Sequence, residues 1–564
     1  MKDKTARKWQ LLISFFKKNQ LRTGFAILAG MIANIFTILI PVSLGKYFDL
    51  LFGFQSHRAA FLDLLPFSFW NNIHQYLVFF VIIIVLKGGF QYLQRFQTAI
   101  LGECFVRDLR EQLFRQQLNI LTSVYDDRGT GKYLLRHSGD LKSIQNFLTR
   151  GIVRFSTDIF LLLLSLLSLA WLNQTIFLII IGGFGITALV VFYLNKILFH
   201  ISVQRRNIRS GLLSFVNNQL QSIKTIKVFN KAATENAKYD KRSNRLFKKG
   251  IEFQNLYSLI FVFIPALLYL TLAAVLYSIY YEKQVGNSAL HTGNTLGFIF
   301  LFITILPIFR RVLRVKTVWE LGRISLSKLS KVFELPSYKV NPKLVPYDFK
   351  EGKIQFRKVF FSYPNSASLF KDLNFTIQPH SINQIKLGNG EGKSTLVKLF
   401  SGLYLPTRGK IKYDGQNIFD TDLKSIRKKM TFISDEFPLL GKTVFEAISY
   451  SRKNKKKALA QIALDDFQNN SPPQFQLKLS DKVLEGGRNL SSSQRKMLQY
   501  VRAELSKKPI IVIDEPLRNL ERNSRNNILN WLQEQSTQKT VILLCRSWGY
   551  PSIKISNLII LKKS

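Results

Sequence analysis

Residues 388–395 read Gly-Asn-Gly-Glu-Gly-Lys-Ser-Thr, a pattern suited to holding a polyphosphate. Closely spaced glycines let backbone N–H groups turn inward around phosphate oxygens. Lys393 adds a cation for the β- and γ-phosphates, and the Ser394 hydroxyl can ligate Mg²⁺. Further along, the apolar run 510–513 ends in Asp514-Glu515. This is the pattern of a buried strand whose Asp meets Mg²⁺ and whose Glu polarises a water. A Gly-Lys-Ser triplet alone arises by chance; paired with that acidic strand end it predicts nucleotide binding. The elements required are a loop running into a helix and a buried strand that stops at Asp514.

At 564 residues the chain is too long for one core, which predicts two or more domains. Hydrophobic residues make up 47%, with 47 Phe, and mean hydropathy is +0.06. The formal net charge of +45 fits either a nucleic-acid binder or a membrane protein with a basic cytoplasmic side. The position of the charge separates the two. Cys104 and Cys545 are the only cysteines, too few for a disulfide framework, and they argue against a zinc site. No short apolar core with a small-residue cleavage site marks a signal peptide.

Charge-poor windows recur through the first 310 residues, at 23–45, 71–86, 159–195, 253–281 and 284–309. The second is expected to continue past Lys87 through Gly88-Gly89-Phe90. The third is long enough for two spans hinged at Asn173-Gln174. Several windows exceed the ~18 residues at which a membrane-crossing helix is the default reading. The windows therefore predict six spans. Lys2, Lys4, Arg7, Lys8, Lys17, Lys18 and Arg22 precede the first span against Asp3 alone. With the N-terminus inside, the outer loops are nearly neutral and the basic excess lies within, which is the positive-inside pattern. Anionic membrane lipids then account for the charge, and nucleic acid is not expected as a partner. The chain reads as an integral protein of the cytoplasmic (inner) membrane with both termini cytoplasmic.

The inner loops 96–153 and 196–252 are long and amphipathic, and read as spans continuing as helices into the cytoplasm. Asp127-Arg128-Gly129-Thr130-Gly131 is expected to break the first; it is either a short coupling segment or an ordinary turn. Lys87 and Arg154 lie near membrane ends, where snorkelling is the simpler account and a cavity role for Lys87 the sharper one. Residues 310–335 carry the last helix down, and 336–350 form a polar, Pro-containing linker. The fold class expected is an α-helical transmembrane bundle plus an α/β P-loop domain. The boundaries are 1–325 for the bundle, 326–350 for the linker and 351–564 for the nucleotide domain.

Residues 388–415 (GNGEGKSTLVKLFSGLYLPTRGKIKYDG) and 485–516 (EGGRNLSSSQRKMLQYVRAELSKKPIIVIDEP) carry a family resemblance. The chain resembles an ATP-binding cassette (ABC) exporter half-transporter, six spans fused to one cassette, over nearly its whole length. The loops 127–144 and 219–230 look like that family's intracellular helices. The resemblance implies a dimer that sandwiches two ATP molecules, with a second half-transporter as partner, an unknown transported substrate, and ATP and Mg²⁺ as cofactors. By position it implies that Tyr363 stacks on adenine and that Asn389, Gly390, Glu391, Gly392, Lys393, Ser394 and Thr395 hold phosphates. Ser394 and Asp514 would ligate Mg²⁺, Glu515 would be the base toward water, and Ser491, Ser492, Ser493 and Gln494 would form the signature.

The departures matter as much. Leu387 stands where the family has the first loop glycine. Asp435 stands where a Gln usually faces Mg²⁺, and can still hold a metal-bound water while adding negative charge beside triphosphate. The signature Leu-Ser-Gly-Gly-Gln is here Leu490-Ser491-Ser492-Ser493-Gln494. The switch His is Arg546, a fixed cation that can hold γ-phosphate but cannot act as a neutral donor. The loop usually reading Ser-Ala-Leu-Asp is Arg518-Asn519-Leu520-Glu521. Two functions follow: an ATP-driven exporter subunit, or an ATP-binding, weakly hydrolysing regulatory or structural half. A heterodimer would let this phosphate loop face an intact signature, whereas a homodimer would carry the same departures at both sites. Lipids, peptides and hydrophobic drugs all suit a cavity rich in Phe and Tyr.

Overall fold

The computed structural model describes residues 10, 12–52, 73–129, 133, 135–137, 139–172, 174–284, 292–338, 344–364, 366–388, 390–450, 457–469, 476–520, 522–546 and 553–561. The chain divides into two units. One comprises residues up to Ile120 and from Arg128 to Ser337; the other comprises Leu121–Asp127 and Tyr338–Ser564.

The first unit is helical because its apolar windows have no backbone partner except themselves in hydrocarbon. Its helices are α1 (Gln20–Phe52) and α2 (Ile73–Asn119), then, beyond the short α3 (Thr122–Arg128), α4 (Gly139–Asn146), α5 (Phe155–Leu172), α6 (Gln174–Gln221), α7 (Ile223–Val228), α8 (Ala232–Gln284) and α9 (Thr292–Phe333). Among the described residues, five stretches are long and apolar enough to cross a membrane: Gln20–Pro41, Ile73–Asn119, Gly139–Ala170, Gln174–Gln221 and Ala232–Tyr281. The expected sixth span, 284–309, starts at Gln284, the last residue of α8, runs through residues 285–291, which lie outside the described residues, and continues as the start of α9. Helix α2 runs unbroken through Lys87. The helix break expected near Gly129 falls there, with Gly129 at φ +68°. An earlier break after Asn119, which separates α2 from α3, was not foreseen.

Only 11% of the apolar window of α2 is buried within the protein, and Val78, Val85, Leu163, Leu189 and Val262 are exposed. In water such a surface would aggregate; in lipid it is the solvated face. Helix contacts are close where small residues allow them. A Cβ on Gly322 would lie 2.4 Å from the Phe147 side chain, and one on Gly183 would lie 2.3 Å from Thr271 Oγ1. Beyond the spans, buried Asp140 on α4 accepts from Arg136 at 2.6 Å, from Arg206 of α6 at 2.7 Å and from Ser325 of α9 at 3.1 Å. A buried carboxylate without such partners would cost several kcal/mol, so this node fixes how three helices meet.

The second unit is built from two sheets. Strands β1 (Ile354–Ser362), β2 (Ser368–Ile377), β4 (Arg408–Tyr413) and β5 (Gln416–Asn417) form an antiparallel sheet in the order β2-β1-β4-β5. Strands β3 (Ile382–Lys386), β6 (Met430–Ile433), β7 (Ile510–Asp514), β8 (Thr540–Cys545) and β9 (Asn557–Ile560) form a parallel sheet in the order β6-β7-β8-β3-β9. Helices α10 (Lys393–Phe400), α11 (Leu423–Lys428), α12 (Val444–Ser449), α13 (Lys457–Gln468), α14 (Ser492–Ser506) and α15 (Arg522–Ser536) complete the unit. Strands β7 and β8 are buried on nearly every residue, as a parallel strand covered on both faces must be.

Leu121–Asp127, most of α3, belongs to this second unit. Thr122 Oγ1 donates to the Leu403 carbonyl at 3.2 Å, Asp126 accepts from Tyr404 Oη, and Lys398 lies 3.2 Å from both Asp126 and Glu436. Burial opposes the Lys398 charge, but hydrogen bonds to the two carboxylates outweigh it and hold its pKa above the ordinary lysine value.

Candidate functional site

In a parallel sheet the loops at the carboxyl ends of the strands form the binding crevice. Here β3 runs into the glycine loop, β7 ends at Asp514, and β8 ends at Cys545, one residue before Arg546. Register brings these ends level: Asp514 pairs with Leu544 and Lys386 with Cys545. The candidate residues from three distant segments therefore meet at one edge.

The loop conformation explains its glycines. Gly390 and Gly392 have φ of +74° and +96°, and a Cβ on Gly392 would lie 2.7 Å from the Phe370 ring. Gly392 caps α10 in the left-handed conformation, which any other residue adopts only with strain. Leu387, by contrast, needs no such freedom. It is 2% exposed and packs into the core between the sheets, so the missing first glycine is absorbed as a hydrophobic residue. The Glu391 carboxylate folds back to accept from the Gly388 N–H, an internal anion on a donor that a phosphate could use. Asn389 lies outside the described residues.

Glu515 is the electrostatic centre. Its Oε1 accepts from Lys393 Nζ at 2.6 Å and is ion-paired with Arg546, whose Nε lies 2.8 Å away. Glu515 sits at φ +49°, and its N–H donates to the Leu544 carbonyl at 2.9 Å, which fixes the backbone that aims the carboxylate. Lys393 and Glu515 are largely enclosed, with side chains 11% and 18% exposed, whereas Arg546 is 48% exposed.

Asp514 has two unlike oxygens. Oδ2 accepts from Ser434 Oγ at 3.2 Å, while Oδ1 is buried with no hydrogen-bond partner. Desolvation pushes the Asp514 carboxyl above its ordinary value. A buried carboxylate oxygen without a donor suits a cation, so the residues fit Mg²⁺. Asp435 is exposed, and its neighbour Ser434 is the residue that touches Asp514. Beneath them, 5%-exposed Lys496 donates from Nζ to the Asp514 carbonyl at 2.6 Å. Burial lowers its pKa. Sequence reasoning missed both Ser434 and Lys496. A charged Lys among the mainly apolar residues 496–501 was the one available signal.

Tyr363 is half-buried. Its hydroxyl lies 2.7 Å from Thr395 Oγ1, and its ring meets Phe361 and Tyr404 edge-on at 5.2 and 5.6 Å. The signature stretch opens α14. Ser491 is the N-cap: its Oγ accepts from the Gln494 N–H at 3.1 Å, and the Gln494 Oε1 accepts from the Ser491 N–H at 2.9 Å. Ser492 and Ser493 occupy the first helical turn, with no residue at positive φ there. The backbone in this stretch therefore makes no demand for glycine, and the serines differ from glycine only in the atoms they project. In the loop after β7, Asn519 has φ +65° and Glu521 lies outside the described residues.

A helical domain with membrane-crossing stretches, continued in the same chain by a phosphate-loop domain, defines a membrane-bound nucleotide-binding protein. The "ABC transporter transmembrane region" family matches residues 23–309, and the "ABC transporter" family matches residues 370–518. The chain belongs to the ABC transporter family, as an exporter-type half with one membrane region and one cassette, and is an integral membrane ATPase coupled to transport. The ATP-dependent lipid A-core flippase of Haemophilus influenzae (strain 86-028NP) is 25% identical over 553 residues, covering 95% of this chain and 89% of the relative. A multidrug resistance ABC transporter ATP-binding and permease protein of Lactococcus lactis is 24% identical, covering 79% and 75%. The solved structure of a bacterial Atm1-family ABC exporter with ATP bound has a TM-score of 0.77 at 18% identity, covering 94% of this chain and 91% of that one. That likeness speaks to fold.

Proposed function

We propose that the chain is one half of a dimeric ATP-driven exporter of the cytoplasmic membrane, with both termini cytoplasmic, and that its own nucleotide site binds Mg-ATP but turns it over slowly. The observation that carries the second part is the pair of cations on one oxygen of Glu515, Lys393 at 2.6 Å and Arg546 at 2.8 Å. A general base needs a free lone pair facing water. With both cations in place that oxygen is committed.

Nucleotide entry rearranges these contacts. The γ-phosphate draws Lys393 away from Glu515, because a multiply charged phosphate is the stronger partner. Glu391 must swing off the Gly388 N–H, since its carboxylate repels the incoming anion. Ser394 and Asp514 are the residues that would hold Mg²⁺, with Asp435 contributing through a water, and the ion would supply charge neutralisation on the triphosphate. Tyr363 would offer an aromatic face to adenine. Once Lys393 has moved, Arg546 still restrains Glu515.

Completion of the site requires a second ABC half, whose signature faces this loop while Ser491–Gln494 face the other. Relatives named for lipid A-core and multidrug transport support an amphiphilic or hydrophobic cargo. The test is the full chain reconstituted in nanodiscs, assayed for Mg-ATP binding and hydrolysis, alone and with any ABC chain that copurifies from native membranes. Binding without substantial turnover in the chain alone, and turnover restored by the partner, is expected. Fast turnover by the chain alone would refute the slow-site reading. ATP binding that never drives movement of any cargo, with or without a partner, would leave a regulatory half instead.

A further inference from the structure

We propose that Lys496 is a built-in counter-charge beneath the nucleotide site, a positioning residue that lets ATP bind with little dependence on Mg²⁺. This rests on the nucleotide-site reading above and concerns what sets the metal requirement of that site. Lys496 is buried, and its ammonium is engaged by the main chain of Asp514. It therefore acts on a nucleotide through Asp514 and not by contact.

Lys496 and Tyr500 lie four residues apart, on one face of α14. Lys496 Nζ donates to the Asp514 carbonyl at 2.6 Å, and Tyr500 Oη donates to the Pro516 carbonyl at 2.8 Å. The helix thus grips the chain on both sides of Glu515. Between these two, Gln499 Nε2 donates to the Ser434 carbonyl at 3.2 Å, and Ser434 Oγ donates to Asp514 Oδ2 at 3.2 Å. Lys496, Gln499, Tyr500 and Ser434 are all buried. The ammonium is held in place by packing and has no freedom to follow a ligand.

A buried ammonium is costly unless opposite charges answer it. Burial works against the Lys496 charge, Asp435, Asp514 and Glu515 all favour it, and Arg518 counts against it. A neutral amide could donate to the Asp514 carbonyl equally well, so the hydrogen bond alone does not account for a lysine here. The other two cations of the site, Lys393 and Arg546, both pair with Glu515. Lys496 is the cation placed behind Asp514, and it leaves Oδ1 of that carboxylate without a partner. A divalent ion is therefore not displaced outright. A fixed positive charge at this depth does two things, because the enclosed site screens it weakly. It offsets the repulsion between Asp514 and a triphosphate, a task Mg²⁺ otherwise performs. It also lowers the attraction of Asp514 for a divalent ion.

The experiment measures equilibrium binding of radiolabelled ATP to the full chain in phosphatidylcholine nanodiscs, once with Mg²⁺ and once with EDTA. Electron paramagnetic resonance gives the Mn²⁺ affinity of the ATP-bound chain in parallel. Wild type should bind ATP in EDTA within about ten-fold of its affinity in Mg²⁺. Lys496→Gln keeps an N–H donor and removes the charge. It should lose at least about ten-fold further in EDTA and bind Mn²⁺ at least about three-fold more tightly. Opposite changes in the two affinities are the signature of a charge, since damage to packing would weaken both. Parallel weakening would overturn the proposal, and so would a Gln variant that matches wild type in EDTA, which would leave Lys496 a main-chain donor only. Strict Mg²⁺ dependence in wild type would overturn it without any variant, while leaving the nucleotide site intact. Wild type that binds no ATP even with Mg²⁺ would instead remove the nucleotide-site reading, and this one with it.

Discussion

Replacing Arg546 tests whether it restrains Glu515 or assists it. In Arg546→His and Arg546→Ala the 2.8 Å contact to Glu515 Oε1 is lost. Two unit charges this close, at an effective dielectric near 20, attract by about 6 kcal/mol. The guanidinium is 48% exposed, however, so solvent screening and side-chain entropy remove most of that. Exposed pairs retain roughly 0–1 kcal/mol, and hydrogen bonds to charged groups about 1.5–3 kcal/mol. A net restraint of about 1–2 kcal/mol follows. If that restraint is released on the way to the transition state, hydrolysis rises about 5- to 30-fold. The assay is steady-state phosphate release by the full chain in nanodiscs at saturating Mg-ATP, with binding measured in parallel. Arg546→Lys, which keeps the cation, should stay slow, and Glu515→Gln should abolish the gain. Unchanged or slower turnover in both the His and the Ala variants, with ATP still bound, would refute the restraint and make Arg546 a γ-phosphate cation.

Lys393→Ala should weaken Mg-ATP binding at least several-fold, because no other side chain on the loop supplies that charge; isothermal titration gives the result. Glu515→Gln should tighten binding by about five-fold, the effect of ~1 kcal/mol, since Lys393 would no longer be shared with a carboxylate. Asp414 accepts from the N–H groups of Lys350, Gly352 and Lys353 and from Tyr347 Oη. Burial would raise its pKa, but these bonds outweigh burial and hold it below the ordinary carboxylate value. Its contribution is therefore present at neutral pH and lost as pH falls through the depressed value. The melting-temperature gap between wild type and Asp414→Asn should narrow toward zero below about pH 4. For topology, in a background lacking Cys104 and Cys545, a cysteine at Ser56 should react with an impermeant thiol reagent from outside and one at Ser564 should not. Both positions lie outside the described residues, and the reverse pattern would overturn the orientation.

Elements that declare themselves by local pattern were legible in the sequence. The apolar windows became helices α1, α2, α5, α6 and α8 because length and hydropathy alone decide a membrane helix. The glycine loop and the run ending at Asp514 were legible because positive φ and full burial leave few residue choices. What escaped was set by tertiary packing. That Lys393 and Arg546 share one oxygen of Glu515 depends on the ends of β3, β7 and β8 lying level, which no spacing encodes. Ser434 on Asp514 belongs to no motif, and buried Lys496 depends on how α14 lies under β7. The Asp140 node likewise joins α4, α6 and α9 across long stretches of chain.

The signature shows how a departure read from sequence changes meaning once its backbone is known. Two serines in place of glycines suggest a loop that can no longer bend where it must. Yet Ser492 and Ser493 take ordinary helical conformations, behind an N-cap closed on both sides by Ser491 and Gln494. Glycine's conformational freedom is not what they lack. Any effect on a facing nucleotide must come from the added hydroxymethyl groups, which either hold the phosphate off or donate to it. Steric exclusion makes Ser492→Gly and Ser493→Gly speed the partner's site; donation makes them slow it. Either sign would be exerted on the partner's nucleotide, so it should be sought in the assembled dimer. The restraint on Glu515 lies within this chain, and its release by Arg546→His should be measurable with or without a partner's signature changed. If restoring all three positions together gains no more than Arg546→His alone, the serines are neutral and the slow site is the work of Arg546.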